Sequence, residues 1–123
     1  MIALGDAIKA TTPHYHRYLI ISDPQSNDGM VVMVTITSAD GTWDKDDECV
    51  LAPEEWPELI KSSVVEFSTC RCGKCSPELQ RAIDRGEFNR IRKPSLDVVR
   101  KVITAARKSK KMPDIAKEYL AQI

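Results

Sequence analysis

The first seventy residues of the chain contain five short apolar, β-branched runs, separated by Gly, Pro, Asn and Asp. Branched side chains pack well on a pleated surface and crowd the preceding turn of a helix, so runs of this length favour extended backbone. Residues 4–11, 17–23, 30–38, 48–52 and 63–71 are the predicted strands. Strands this short and this closely spaced specify a small all-β barrel or sandwich.

Periodicity refines the reading. Val32, Val34 and Ile36 alternate with Met33, Thr35 and Thr37, so a period of two sends the first set inward and the second outward. Residues 17–23 are apolar on both sides, Tyr18 and Ile20 against Leu19 and Ile21. That predicts a central strand whose second face is covered by another part of the chain, and the C-terminal half is the available cover. Residues 24–29 form a polar turn, and residues 40–47 a loop too charged to bury, with Trp43 as a candidate exposed aromatic. Residues 53–61 are expected to hold one helical turn around Trp56, limited by Pro57.

After the strands the pattern becomes helical. Ser76-Pro77 supplies a cap and an N-terminal proline, and Gly86 a left-handed terminator, which predicts a short helix over 77–85 with Leu79, Ala82 and Ile83 as its apolar residues. Ser95 then caps a longer helix with the stripe Leu96, Val99, Val102, Ile103 and Ala106, while Arg100, Lys101, Arg107 and Lys108 fall mostly off it. Beyond Pro113, Ile115, Tyr119 and Ile123 recur every four residues and predict a terminal helix docked through them. The expected fold class is α+β: a single domain over 1–123, with a barrel over 1–71 and a basic helical extension over 72–123 packed on it.

Charge divides the chain at the same place. The 18 cations balance the 18 acids overall, but before Cys70 only Lys9, Arg17, Lys45 and Lys61 face twelve acids, and from Cys70 onward fourteen cations face six. The basic half has the electrostatic footprint of a surface that meets phosphate or an acidic partner. The same asymmetry also suits an acidic half and a basic half attracting each other within the monomer or across a dimer. No run approaches the roughly eighteen apolar residues of a membrane span, and Asp6 precedes any hydrophobic stretch of signal-peptide length, so the expectation is a cytoplasmic protein without a membrane partner.

Chemistry-bearing side chains concentrate in two places. His14, Tyr15, His16 and Arg17 combine imidazoles that exchange protons near neutral pH, a ring that can stack on a base, and a guanidinium that can grip phosphate. A polar hairpin end would use the same residues without chemistry. Thr37 and Ser38 offer hydroxyls that could bond a phosphate or a reacting 2′-hydroxyl, or simply cap a turn. Arg71 conflicts with the alternation of its strand, since it would point inward with Val65 and Phe67; either a bulge re-aims it or it lines a pocket. Cys70, Cys72 and Cys75 lie within six residues, and Cys49 could complete a tetrahedral zinc site, with four thiols the alternative. There is no Gly-rich phosphate loop, Ser-His-Asp order or paired-carboxylate signature.

Taken in order, Leu4-Gly5-Asp6-Ala7-Ile8, Arg17-Tyr18-Leu19-Ile20-Ile21-Ser22, Val34-Thr35-Ile36-Thr37-Ser38, and Ser63-Val64-Val65 leading to Arg71 resemble the landmarks of PemK/MazF-type toxins of toxin–antitoxin systems. The resemblance covers residues 1–71. It implies a small Src-homology-like barrel, usually dimeric, that cuts single-stranded RNA without metal. By resemblance Arg17 takes the place of the phosphate-binding arginine, Thr37 and Ser38 of the active-site hydroxyls, and Arg71 of the last-strand arginine. The chain departs from the family in its short Thr12-Pro13-His14-Tyr15-His16 segment, in Tyr18 where a proline is usual, in Cys72-Gly73-Lys74-Cys75 after Arg71, and in its basic helical tail.

Two functions follow as expectations. The first is a metal-independent endoribonuclease without a cofactor, in which Arg17, Thr37, Ser38 and His16 are catalytic and His14, Tyr15 and Arg71 hold RNA. An antitoxin-like protein and a second copy of the chain are its expected partners. A base would remove the 2′-hydroxyl proton, that oxygen would attack the adjacent phosphate, and cations would stabilise the developing charge. The second is a catalytically silent module for nucleic acid or protein, zinc-stabilised if the cysteines gather, with Arg90, Arg92, Lys93, Arg100 and Lys101 of the tail making the contacts.

Overall fold

The computed structural model describes residues 1–11, 16–39, 47–74 and 76–123, and places a strand in each of the five predicted runs, the fifth continuing past Arg71 to Gly73. β1 (Ala7–Ala10), β2 (Arg17–Ile20), β3 (Val31–Ser38), β4 (Val50–Leu51) and β5 (Ser63–Gly73) come from the first part of the chain. They are followed by α1 (Ser76–Asp84), β6 (Phe88–Arg90), α2 (Leu96–Lys108) and α3 (Asp114–Lys117). The strands form one antiparallel six-stranded sheet in the order β4-β5-β3-β2-β1-β6. β4 and β6 are its edges, so the described strands make an open sheet. The fold is α+β, and the strand that sequence periodicity missed, β6, belongs to the helical half and pairs with β1.

Both faces of the sheet are covered. On one face Leu19, Ile21, Val32, Val34, Ile36, Val65 and Phe67 pack with Val98, Val99, Val102, Ile103 and Ala106 of α2. On the other, Ile8, Tyr18, Ile20, Val31 and Met33 pack with Leu79 of α1, and Ile83 and Phe88 lie against them. The doubly apolar β2 is therefore a central strand, as its composition requires. Met33 and Thr35 are consequently buried rather than outward to solvent, because α1 and its neighbours occupy the face they point to.

The helices keep their predicted ends better than their predicted stripes. Ser95 Oγ accepts the Val98 N–H at 3.3 Å and starts α2, and Gly86 takes φ +81° just after α1. Leu96, expected on the buried stripe, is 51% exposed, and Val98 fills the interior instead. The terminal segment docks, but not through Ile115 and Ile123, which are 65% and 44% exposed. α3 is a single turn, after which the chain extends, so that Leu120 bridges Ser22 and the Ala121 N–H donates to Ile21 O at 3.0 Å. Met112, Ala116, Leu120 and Ala121 are the buried residues of this segment. Around Trp56 there are turns rather than a helix; its ring is fully buried and its Nε1–H donates to Arg92 O at 2.8 Å.

The charge asymmetry is used inside the monomer. Lys74 pairs with Asp28 at 2.8 Å, Arg90 and Lys93 with Asp6 at 2.9 and 3.1 Å, and Lys101 with Glu55 at 2.7 Å. Each pair joins a cation of the basic half to a carboxylate of the acidic half. No described helix is long and apolar enough to cross a membrane.

Candidate nucleic-acid interface at one end of the sheet

Strand register decides which predicted site residues can act together. Arg17 lies opposite Lys9 on β1 and Ile36 on β3. Continuing the β2–β3 register by one residue brings His16 opposite Thr37, and the Ala10 N–H holds His16 O at 3.0 Å on the other side. Because side chains alternate, Arg17, Lys9 and Ser38 share the α2 face, whereas His16, Tyr18, Thr35 and Thr37 share the α1 face. The four residues expected to be catalytic are thus neighbours at one end of β2 and β3 but divided between the two faces. His14 and Tyr15 lie outside the described residues, as does Trp43.

On the α2 face the chemistry is that of an anion site. Two cations placed directly across an antiparallel pair repel each other, and Lys9 and Arg17 are such a pair. Arg17 Nε is also buried with no hydrogen-bond partner among the described residues. A buried donor left unpaired costs on the order of 1–3 kcal/mol, and such groups in native folds call for an explanation. An oxyanion would satisfy both features, accepting from the guanidinium and neutralising the repulsion.

On the α1 face the arrangement is aromatic and cationic. Tyr18 is buried edge-on against His16 and Phe88, with ring centroids 6.4 and 5.9 Å away, and Arg71 sits 5.8 Å over its ring. The position of Arg71 resolves its conflict with alternation. Thr35 pairs with Glu66 but Met33 pairs with Arg71, so β5 holds three more residues than β3 across this stretch. An odd insertion inverts the alternation and turns Arg71 away from the face of Val65 and Phe67, toward Tyr18. The bulge is the alternative that the structure bears out.

The tail cations divide between those engaged within the fold and those left exposed. Arg90 and Lys93, read as phosphate contacts, are held by Asp6, whose side chain is 3% exposed and also accepts the Ala3 N–H at 2.8 Å. Burial works against ionisation of Asp6, but the Ala3 N–H and the two cations outweigh it and keep the carboxyl below the usual range. Lys101 donates to Glu55 and to Val50 O; Arg92 and Arg100 are exposed, the latter 3.6 Å from Asp97. Cys49 packs in the core opposite Val65, five residues before Cys70 on β5, and burial pushes its thiol up to about 11. Among the described residues no three His, Cys, Asp or Glu side chains gather as a metal would need, and Cys75 lies outside them.

A cleft of about 340 Å³ lies elsewhere, between residues 23–27 and 118–123, and its charged lining, Asp23 and Glu118, is acidic. It is unsuited to phosphate. The sequence matches no protein-family model, and no curated protein is significantly similar to it.

Proposed function

We propose that the chain is a cytoplasmic single-stranded RNA-binding protein of the PemK/MazF-like kind, in which Arg17 and Lys9 grip a backbone phosphate at the end of the sheet. The observation that carries this reading is the buried Nε of Arg17, without a partner among the described residues and directly across from a second cation. Arg71 on the other face, exposed above the buried Tyr18 ring, would supply a further cation where the strand leaves the grip. The small Src-homology-like barrel, an antitoxin-like partner and a homodimer belong to this proposal.

A second reading, metal-independent cleavage, is favoured by the placement of His16 opposite Thr37 on the face that also carries Arg71. There an imidazole could take the 2′-hydroxyl proton while the Arg71 guanidinium, on the same face, stabilises the phosphorane charge. One experiment separates the readings: a fluorescent, structureless RNA is titrated with the protein in chelator, following anisotropy and product size together. Saturable binding of intact RNA supports the binding module, and products ending in cyclic phosphate that His16→Ala removes support the nuclease. Absence of both would refute the RNA reading.

A further inference from the structure

The α1 face of the sheet carries a polar group that the phosphate grip does not use. Glu66 lies directly opposite Thr35 on β3, and Thr35 lies opposite Tyr18 on β2, so the three form one row across this face. Thr37 and His16 make the next row toward the end of the sheet, and the register shift turns Arg71 onto the same face. Glu66, Thr37 and His16 are half-buried and Arg71 is exposed, so the face is reached from solvent. Thr69 Oγ1 donates to Glu66 Oε2 at 3.2 Å, whereas Arg71 is turned over the Tyr18 ring, and among the described residues the two charges make no ion pair with each other. β5 and β2 are two strand spacings apart, about 10 Å. The carboxylate and the guanidinium therefore flank Thr35 instead of neutralising each other.

A carboxylate repels the phosphates of a nucleic acid, so at an RNA-binding end of the sheet it needs a different contact, and a base edge supplies one. Guanine alone among the four RNA bases offers two adjacent N–H donors on its Watson–Crick edge, N1–H and N2–H, which the two oxygens of a carboxylate accept. Guanine continues with O6 and N7, two acceptors that match the fork of a guanidinium. Adenine has an acceptor at N1 beside its amino group, cytosine one at N3, and uracil a single N–H between two carbonyls. Each of these leaves a carboxylate oxygen unpaired or facing another acceptor.

We propose that the α1 face reads a guanine of the bound single-stranded RNA, Glu66 accepting N1–H and N2–H while Arg71 donates to O6 and N7. The proposal rests on the RNA-binding reading above and gives the exposed Arg71 cation a base edge as its contact. Thr69 fixes one oxygen of the carboxylate, which keeps a further lone pair for the base. A base of another pattern leaves a charged group stripped of water and unpaired, and that penalty makes the site selective.

Four fluorescent uridine decamers test this, one unsubstituted and three with a single central guanosine, inosine or adenosine, all 2′-fluoro so that no 2′-hydroxyl is present for cleavage. Affinities are measured by anisotropy in chelator. The guanosine decamer is expected to bind about tenfold tighter than the uridine and adenosine decamers, with inosine, which lacks N2, in between. Glu66→Gln keeps the side-chain volume and should cut the guanosine preference to about twofold or less, while affinity for the uridine decamer is unchanged or rises as a negative charge is removed. Arg71→Gln, at an exposed position, should reduce the same preference. A general loss of fold would instead lower all four affinities together. Equal affinity for the guanosine and adenosine decamers, or a preference that either substitution leaves unchanged, would overturn the proposal and leave the RNA reading standing. Failure of all four decamers to bind the unsubstituted protein would overturn both.

Discussion

The Arg90 guanidinium donates to the buried Asp6 carboxylate at 2.9 Å, joining residues 84 apart in sequence. Lys93 approaches the other carboxylate oxygen at 3.1 Å. Arg90 also reaches Met1 O and Gln80 Oε1, so one side chain ties the N-terminal segment, α1 and the β6 edge together. These two cations are tied into the fold, whereas Arg92 and Arg100 of the same basic half remain exposed.

Asp6→Asn keeps the volume and removes the charge. It is expected to destabilise the protein by about 1–3 kcal/mol, the range for a buried group losing charge-assisted hydrogen bonds. The carboxyl of Asp6 is lowered from 3.8 in the folded state, so its stabilisation is complete above that unfolded value and is lost as pH falls through the lower folded one. Urea unfolding at a series of acidic pH values checks this: the acid-side loss of stability should be shallower in Asp6→Asn, and equal slopes would refute the assignment.

Ser109 is a second interior junction. Its Oγ accepts the Lys111 and Met112 N–H groups at 3.0 Å each and donates to Glu48, and its carbonyl accepts Lys117 Nζ at 2.6 Å. Ser109→Ala strips the first three at a fully enclosed site and should cost about 1–3 kcal/mol. Glu48→Gln, which keeps an acceptor for the Lys110 N–H, should cost less. Denaturant midpoints of the two variants provide the comparison.

The tail gives a prediction of small effect. Arg100→Gln combined with Lys108→Gln removes two exposed cations of α2 that lie on a different element from Arg17. At physiological salt an exposed charge acts over only about 8 Å. RNA affinity should stay within about twofold of the unsubstituted protein, and a large loss would move the interface from the sheet end to α2.

Strands were legible because their cause is local: branched residues at period two with Gly, Pro and Asn between them. β6 was not, since Phe88-Asn89-Arg90 is extended by its pairing with β1 and carries little pattern of its own. Ile115, Tyr119 and Ile123 fit a helical period, yet α3 stops after Lys117 and the chain extends to meet Ile21 and Ser22, so a period that holds in sequence ends in space. Of the candidate site, Arg71 appeared in the sequence as a conflict with alternation, and only the register shift against β3 resolves it. The Lys9–Arg17 pairing could not be read at all, because it depends on the register between β1 and β2.

The central claim is that Arg17 is held for a ligand and not for the fold, and Arg17→Met tests it most directly by keeping an apolar stem while removing the charge. The expected outcome is a stability equal to or up to about 1 kcal/mol above the original, as the repulsion with Lys9 is relieved. RNA affinity should at the same time fall by about tenfold or more, as a charge-assisted phosphate contact is lost. Unchanged RNA affinity, or destabilisation by several kcal/mol, would contradict the claim and make Arg17 a structural residue.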